Sequence, residues 1–255
     1  MDNLAVLRLQ IEWGADEALL DHPSDRFAPS QPLLAQPNFA PAHAATTRLS
    51  PKPFHAAPAV SPEVAADLPA LHQALDAFHG CPLRATASTT VASSGNPGAG
   101  LVVIAEAPGP DDDRSGHAFS GPPGQRLDRI LATVGLDRSR LMLAMLVPWR
   151  PPGGRQLNAP EIGQCLPYLH RLLALTRPRH LVLLGVTTLR AIGGDPAATL
   201  RRARGHWSPA TIPGIEAPVP TLAMLHPDQW LASATNRQST WNDLVMLREA
   251  LGPLC

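Results

Sequence analysis

The hydrophobic positions change their rhythm along the chain, and each change marks a boundary. Leu4, Leu7, Ile11, Ala15 and Leu19 recur at helical spacing, closed by Asp21-His22-Pro23, which predicts a short amphipathic helix over Leu4–Leu20. From Pro23 to Pro69 no period survives, and ten of the 29 prolines fall there among Ala, Ser and Gln. Such a segment buries too little apolar surface to offset its chain entropy, so it reads as a flexible linker. A second helix is predicted over Ala65–Phe78, and Ser93-Ser94-Gly95-Asn96-Pro97-Gly98 is the last break before the core. The expected organisation is an N-terminal helix within 1–22, a linker over 23–64 and a folded domain over 65–255, its core starting near residue 100.

Beyond that break, apolar runs alternate with helical periods. Strands are predicted at Leu101–Ala105, Leu141–Val147, His180–Leu184 and Val219–Leu225. Helices are predicted at Gln125–Val134, Ala159–Thr176, Thr187–Ile192 and Ser239–Leu251, with Pro160 in a first turn, where its missing N–H costs little. The alternation predicts an α/β fold: a three-layer α/β/α sandwich with a four-stranded, mostly parallel sheet. Sites in such folds form in loops at the carboxyl ends of the strands, where the unusual residues of this chain lie.

Charge sharpens the division. The formal net charge is zero, but five Lys+Arg stand against nine Asp+Glu before Gly100, and sixteen against twelve after it. The folded part is therefore the basic part, as a nucleic-acid surface requires. The three cysteines, Cys81, Cys165 and Cys255, form no paired spacing, so no disulfide scaffold is expected and a reducing cytoplasm is the natural compartment. Met-Asp-Asn-Leu begins no signal-peptide pattern, and no apolar stretch reaches membrane-spanning length, so no membrane is expected among its partners.

Three loops carry candidate chemistry. After the first strand comes Glu106-Ala107-Pro108-Gly109-Pro110-Asp111-Asp112-Asp113, a Pro-Gly turn whose backbone N–H groups can face a ligand, with four carboxylates nearby. Phe119 then sits in a small-residue loop before a helix. After the second strand, Arg150-Pro151-Pro152-Gly153-Gly154-Arg155 places two arginines on a proline-stiffened loop, suited to phosphate contact or to pinning the loop. After the last strand stands His226-Pro227. Each has a plainer alternative: a core Phe, an acidic turn, intramolecular ion pairs and a structural His.

Together these loops resemble the family 4 uracil-DNA glycosylases. Glu106, Pro108, Gly109, Asp113, Gly116, Phe119 and Gly121 match that family's first loop position by position, and Arg-Pro-Pro-Gly-x-Arg and His-Pro match its later motifs. The resemblance implies a glycosylase acting as a monomer on DNA containing damaged bases in base excision repair, most directly on uracil. It implies that Ala107, Pro108 and Gly109 approach the flipped base, and that Phe119 stacks on it. Glu106 and Asp112 would position water, and His226 would donate to the leaving base. Arg150 and Arg155 would contact DNA, and Leu231 lies where the family inserts an apolar side chain into the base stack. Arg204-Gly205-His206-Trp207 and Trp241-Asn242-Asp243-Leu244 echo further family landmarks and are expected to be packing features.

Two departures stand out. The family binds a [4Fe–4S] cluster through four cysteines; here Cys81 and Cys165 hold two of those positions, while Phe78 and Trp149 hold the others. Neither ring ligates iron, although His79 is close to one gap, so no metal or cofactor is expected and aromatic packing should replace the cluster. Met145 stands where the family reads the uracil edge with Asn, and a thioether lacks the amide's donor and acceptor. Ala105 likewise replaces the glycine opening the first loop. Two alternatives to uracil excision follow: altered base specificity, or a catalytically weak DNA- or partner-binding protein using the tethered Leu4–Leu20 helix to dock into a protein groove.

Overall fold

The alternation of apolar runs and amphipathic segments resolves into layers over residues 62–252, the part of the chain that the computed structural model describes. In order these residues form α1 (Leu68–Asp76), β1 (Ser94–Gly95), β2 (Leu101–Ala105), α2 (Pro110–Ser115), α3 (Gly121–Thr133) and β3 (Met142–Met145). They continue with α4 (Ala159–Thr176), β4 (His180–Leu184), α5 (Val186–Gly193), α6 (Leu200–Ala203), β5 (Trp207–Ala210), β6 (Val219–Met224) and α7 (Ala234–Leu251). The predicted helix Leu4–Leu20 and nearly all of the predicted linker lie outside the described residues.

Alternate side chains of β2 explain the layering. Val102 and Ile104 join a core with Leu71 of α1 and Cys165, Tyr168 and Leu169 of α4. Leu101, Val103 and Ala105 join a second core with Leu127 and Leu131 of α3 and Leu244 and Leu247 of α7. A strand covered on both faces must be apolar throughout, which is why β2 reads as an unbroken run.

The expected four-stranded sheet is corrected to a mixed sheet of six, in the order β1-β3-β2-β4-β6-β5. The predicted strands are its parallel centre: β2 pairs in parallel with β3 and β4, and β4 with β6. The additions are antiparallel edges, β1 on β3 and β5 on β6. Both hide in sequence because edges admit what centres exclude: β1 is two residues inside the Ser-Ser-Gly-Asn break, and β5 contains Pro209. From β2 the chain goes first to β3 on one side and then crosses to β4 on the other. The carboxyl end of β2 is thus the switch point at which a crevice opens.

Two further differences matter for function. The acidic turn forms α2, because Asp113 accepts from the backbone N–H groups of Ser88 (2.9 Å) and Thr89 (3.4 Å) while Asp112 caps the helix start. The two landmarks expected to pack are joined by a buried ion pair, Arg204 to Asp243 at 2.5 Å, but Trp241 is 48 % exposed.

Candidate active site

A cleft of about 440 Å³ opens at the carboxyl ends of β2, β3 and β6, within the range of small-molecule sites. Its walls include Glu106, Ala107, Pro108, Gly109, Asp112, Phe119, Met145, Arg150, Arg155 and His226. Three loops far apart in sequence therefore meet at one place. Leu231 lies outside this lining, five residues beyond His226, with 55 % of its surface exposed.

Glu106 follows β2 directly. Its Oε1 accepts the backbone N–H of Thr187 at 3.0 Å, at the start of α5. That approach requires Gly185: with φ +99° it adopts a conformation L side chains avoid, and a Cβ there would lie 2.3 Å from the same Oε1. Asp112 is committed to the backbone, with Oδ2 accepting from Gly109 N–H at 2.9 Å and Oδ1 from Ser120 N–H at 2.6 Å. It thereby holds the Pro-Gly turn and the Phe119 loop together. Asp111 pairs with Arg114 on the surface.

Phe119 is 3 % exposed and has φ +55°, a left-handed backbone unusual for a bulky residue. Surrounding contacts enforce it: Arg138 donates to the Phe119 carbonyl at 2.7 Å while also holding Asp128 at 2.7 Å. Gly124 makes room for that carbonyl, which a Cβ would approach to 1.7 Å. Nothing local in the sequence marks Arg138, and its part is visible only in three dimensions.

The His226 ring faces Phe119 at a centroid distance of 6.4 Å and an interplanar angle of 24°. His226 Nδ1 lies 3.4 Å from both the Asp228 backbone nitrogen and the Asp228 carboxylate Oδ2, which leaves Nε2 as the ring nitrogen without a partner among the described residues. Burial pushes the imidazole below the ordinary histidine value; the Asp228, Glu106 and Asp112 carboxylates oppose this, and the Arg126 guanidinium adds to it. Arg126 also pairs with Asp228, a cleft residue that sequence reasoning missed.

The remaining wall comes from the loop after β3. Met145, 7 % exposed, is in register with Ala105 and offers sulfur and methylenes only. Arg155 forms a two-point ion pair with buried Glu161, at 3.0 and 2.5 Å. Arg150 makes no hydrogen bond or ion pair with the described residues. Of the two arginines expected at DNA, Arg155 thus pins its loop, and Arg150 is the one without a partner among the described residues.

The positions corresponding to cluster ligands do not form a four-thiolate cage. Phe78 stacks on Trp149 at 6.1 Å and tilts against Tyr168 at 5.0 Å. Trp149 is fully buried, its indole N–H reaching Thr90 Oγ1 at 3.3 Å. Cys81 and Cys165 are both buried as free thiols; their interaction with one another and burial push Cys165 up, and the same interaction pulls Cys81 down. His79 is exposed and donates from Nδ1 to the Ala77 carbonyl at 2.8 Å. Among the described residues no group of three or more His, Cys, Asp or Glu is placed to hold a metal ion. Nor is any helix among them long and apolar enough to cross a membrane.

The family model of the Uracil DNA glycosylase superfamily matches residues 92–245. The chain is 30 % identical over 183 residues to the Type-4 uracil-DNA glycosylase of Pyrobaculum aerophilum, covering 71 % of this chain and 92 % of that protein. It is 37 % identical over 105 residues to that of Archaeoglobus fulgidus, covering 41 % and 53 %. With that of Thermotoga maritima it shares 28 % over 156 residues, covering 61 % and 79 %.

Proposed function

The chain belongs to the uracil DNA glycosylase superfamily, and from that membership and the cleft we propose that it hydrolyses the N-glycosidic bond of a base flipped out of DNA, uracil first among candidates, in base excision repair. The observation that carries this reading is the meeting of Phe119 and His226 in one cleft. A base taken out of its stack needs an aromatic face to recover stacking, and its departure needs a donor where negative charge builds. Phe119 supplies the face. As the C1′–N1 bond breaks, its electron pair moves into the base, and the His226 Nε2–H donates to the O2 of the resulting anion. Glu106, with one oxygen held by Thr187, orients water toward C1′ through the other and takes its proton. Asp112 acts on the site by shaping the loop, since both its oxygens are occupied.

The protein acts as a monomer and without a cluster, the rings of Phe78, Trp149 and Tyr168 packing where ligands would be needed. Met145 favours a second reading, a glycosylase of altered base specificity, because the floor beside Ala105 offers no amide to the base.

The test is alkali-induced cleavage of single-stranded oligonucleotides carrying one uracil, one hypoxanthine or only ordinary bases. Cleavage at uracil supports the first reading, and cleavage at hypoxanthine alone supports the second. Failure on both would leave the fold a binding module.

A further inference from the structure

Among the described residues, the cleft contains one exposed polar side chain whose donor and acceptor have no partner within the protein. Seven of its lining residues carry polar or charged side chains: Glu106, Asp112, Arg150, Arg155, Gln156, His226 and Asp228. Glu106 accepts from Thr187, Asp112 from Gly109 and Ser120, and Asp228 from Arg126. Arg155 is bound to Glu161, and His226 has only Nε2 left. Arg150 donates without accepting. The Gln156 carboxamide makes no hydrogen bond with the described residues, and it is the only side-chain amide in the lining.

Its position is fixed although its side chain is free. The Gln156 carbonyl accepts from Arg155 Nη1 at 3.0 Å, and Arg155 is held by both oxygens of Glu161. Two residues further on, Asn158 and Glu161 bond reciprocally, Asn158 N–H to Oε2 at 3.0 Å and Glu161 N–H to Asn158 Oδ1 at 2.8 Å. Glu161 thus anchors the chain on both sides of Gln156 to the first turn of α4. A reader needs this combination of a preorganised backbone and an uncommitted amide.

We infer that Gln156 reads the Watson–Crick edge of the flipped base, taking the task that Met145 cannot perform; this rests on the glycosylase reading above. The uracil edge presents O2, N3–H and O4 in sequence. With His226 Nε2–H on O2, a carboxamide accepts from N3–H and donates to O4, so the two residues together cover the edge. Arg155 and Glu161 are then positioning residues, acting through Gln156.

The experiment uses the full chain and two oligonucleotides, one with non-cleavable 2′-fluoro-deoxyuridine and one with a stable abasic analogue at the same position. Gln156→Ala is expected to weaken binding to the uracil analogue about 3- to 10-fold, the effect of one neutral hydrogen bond or slightly more, and to leave abasic binding unchanged. Gln156→Glu keeps the side chain's size but loses the donor, and should weaken the same ratio. Glu161→Gln should lower it by less, with an unaltered ratio counting against the anchoring role. Equal losses on both oligonucleotides would make Gln156 a general DNA contact and overturn the assignment. Unchanged binding in both Gln156 variants would overturn it in favour of backbone or water. If uracil excision by the natural protein persists through those failures, the assignment alone falls. If the natural protein excises no base and binds both oligonucleotides alike, the glycosylase reading falls with it.

Discussion

In the proposed mechanism His226 acts as a neutral ring. Its Nδ1 faces both the backbone N–H and the carboxylate of Asp228, and burial holds its pKa below the ordinary 6.5, so the ring is neutral at neutral pH and the imidazolium, which carries N–H on both nitrogens, forms only on the acid side. Excision should therefore be flat from about pH 7 upward. A single-turnover pH profile checks this, and a rise toward acid would mean that the cation is the active form. His226→Ala should lower turnover roughly 10²–10³-fold, the usual loss for one preorganised donor, with DNA affinity nearly unchanged. Met145 poses the opposite case, a position where chemistry is absent. Met145→Asn adds a donor and an acceptor beside Ala105; with Gln156 already on the base edge, uracil release should change by less than about 10-fold, and a larger gain would show that the edge is unread in the natural protein. If the natural protein is already fast and the variant slower, Gln156 or another group reads the base unaided. Most of these residues were legible in sequence because each belongs to a short motif at a strand's end. Arg138 and Asp228 were not, because their parts depend on partners 19 and 102 residues away, and Gln156 was not because it is placed only through the ion pair of its neighbour Arg155 with Glu161.

At the scale of elements, what the sequence revealed followed burial. The four central strands are largely apolar because both faces are covered, and the α4 boundaries were readable from Pro160 and the helical period that follows. β1, β5 and α2 left no such trace, the first two as short edges and α2 as a six-residue helix headed by Gly-Pro and held by contacts to distant backbone. The same dependence on burial governs the aromatic packing of Phe78, Trp149 and Tyr168, which ties the residues just after α1 to α4. Trp149→Ala removes a fully buried ring and should cost about 3–5 kcal/mol, read from chemical denaturation. Iron and sulfide analysis of the purified protein should find neither in stoichiometric amount, and broad absorbance near roughly 400 nm would show that two cysteines suffice after all.

Across the whole molecule, charge and shape divide the work of holding DNA. The sixteen Lys+Arg against twelve Asp+Glu after Gly100 make that part of the chain net positive, which draws in the phosphate backbone and makes binding salt-dependent. The arginines do not share this task equally. Arg155 is tied to buried Glu161, whereas Arg150 lines the same cleft with no partner among the described residues. Each phosphate contact on single-stranded DNA adds about 0.7 to the slope of log affinity against log salt. Arg150→Gln should therefore flatten that slope by about 0.7 in a titration against a uracil-containing oligonucleotide. Arg155→Gln should leave the slope nearly as it is but lower the melting temperature, because it strands a carboxylate that is only 3 % exposed. If instead Arg155→Gln flattens the slope and Arg150→Gln does not, the ion pair with Glu161 opens on DNA, and the anchoring of the loop around Gln156 has to be reassigned to Asn158 alone.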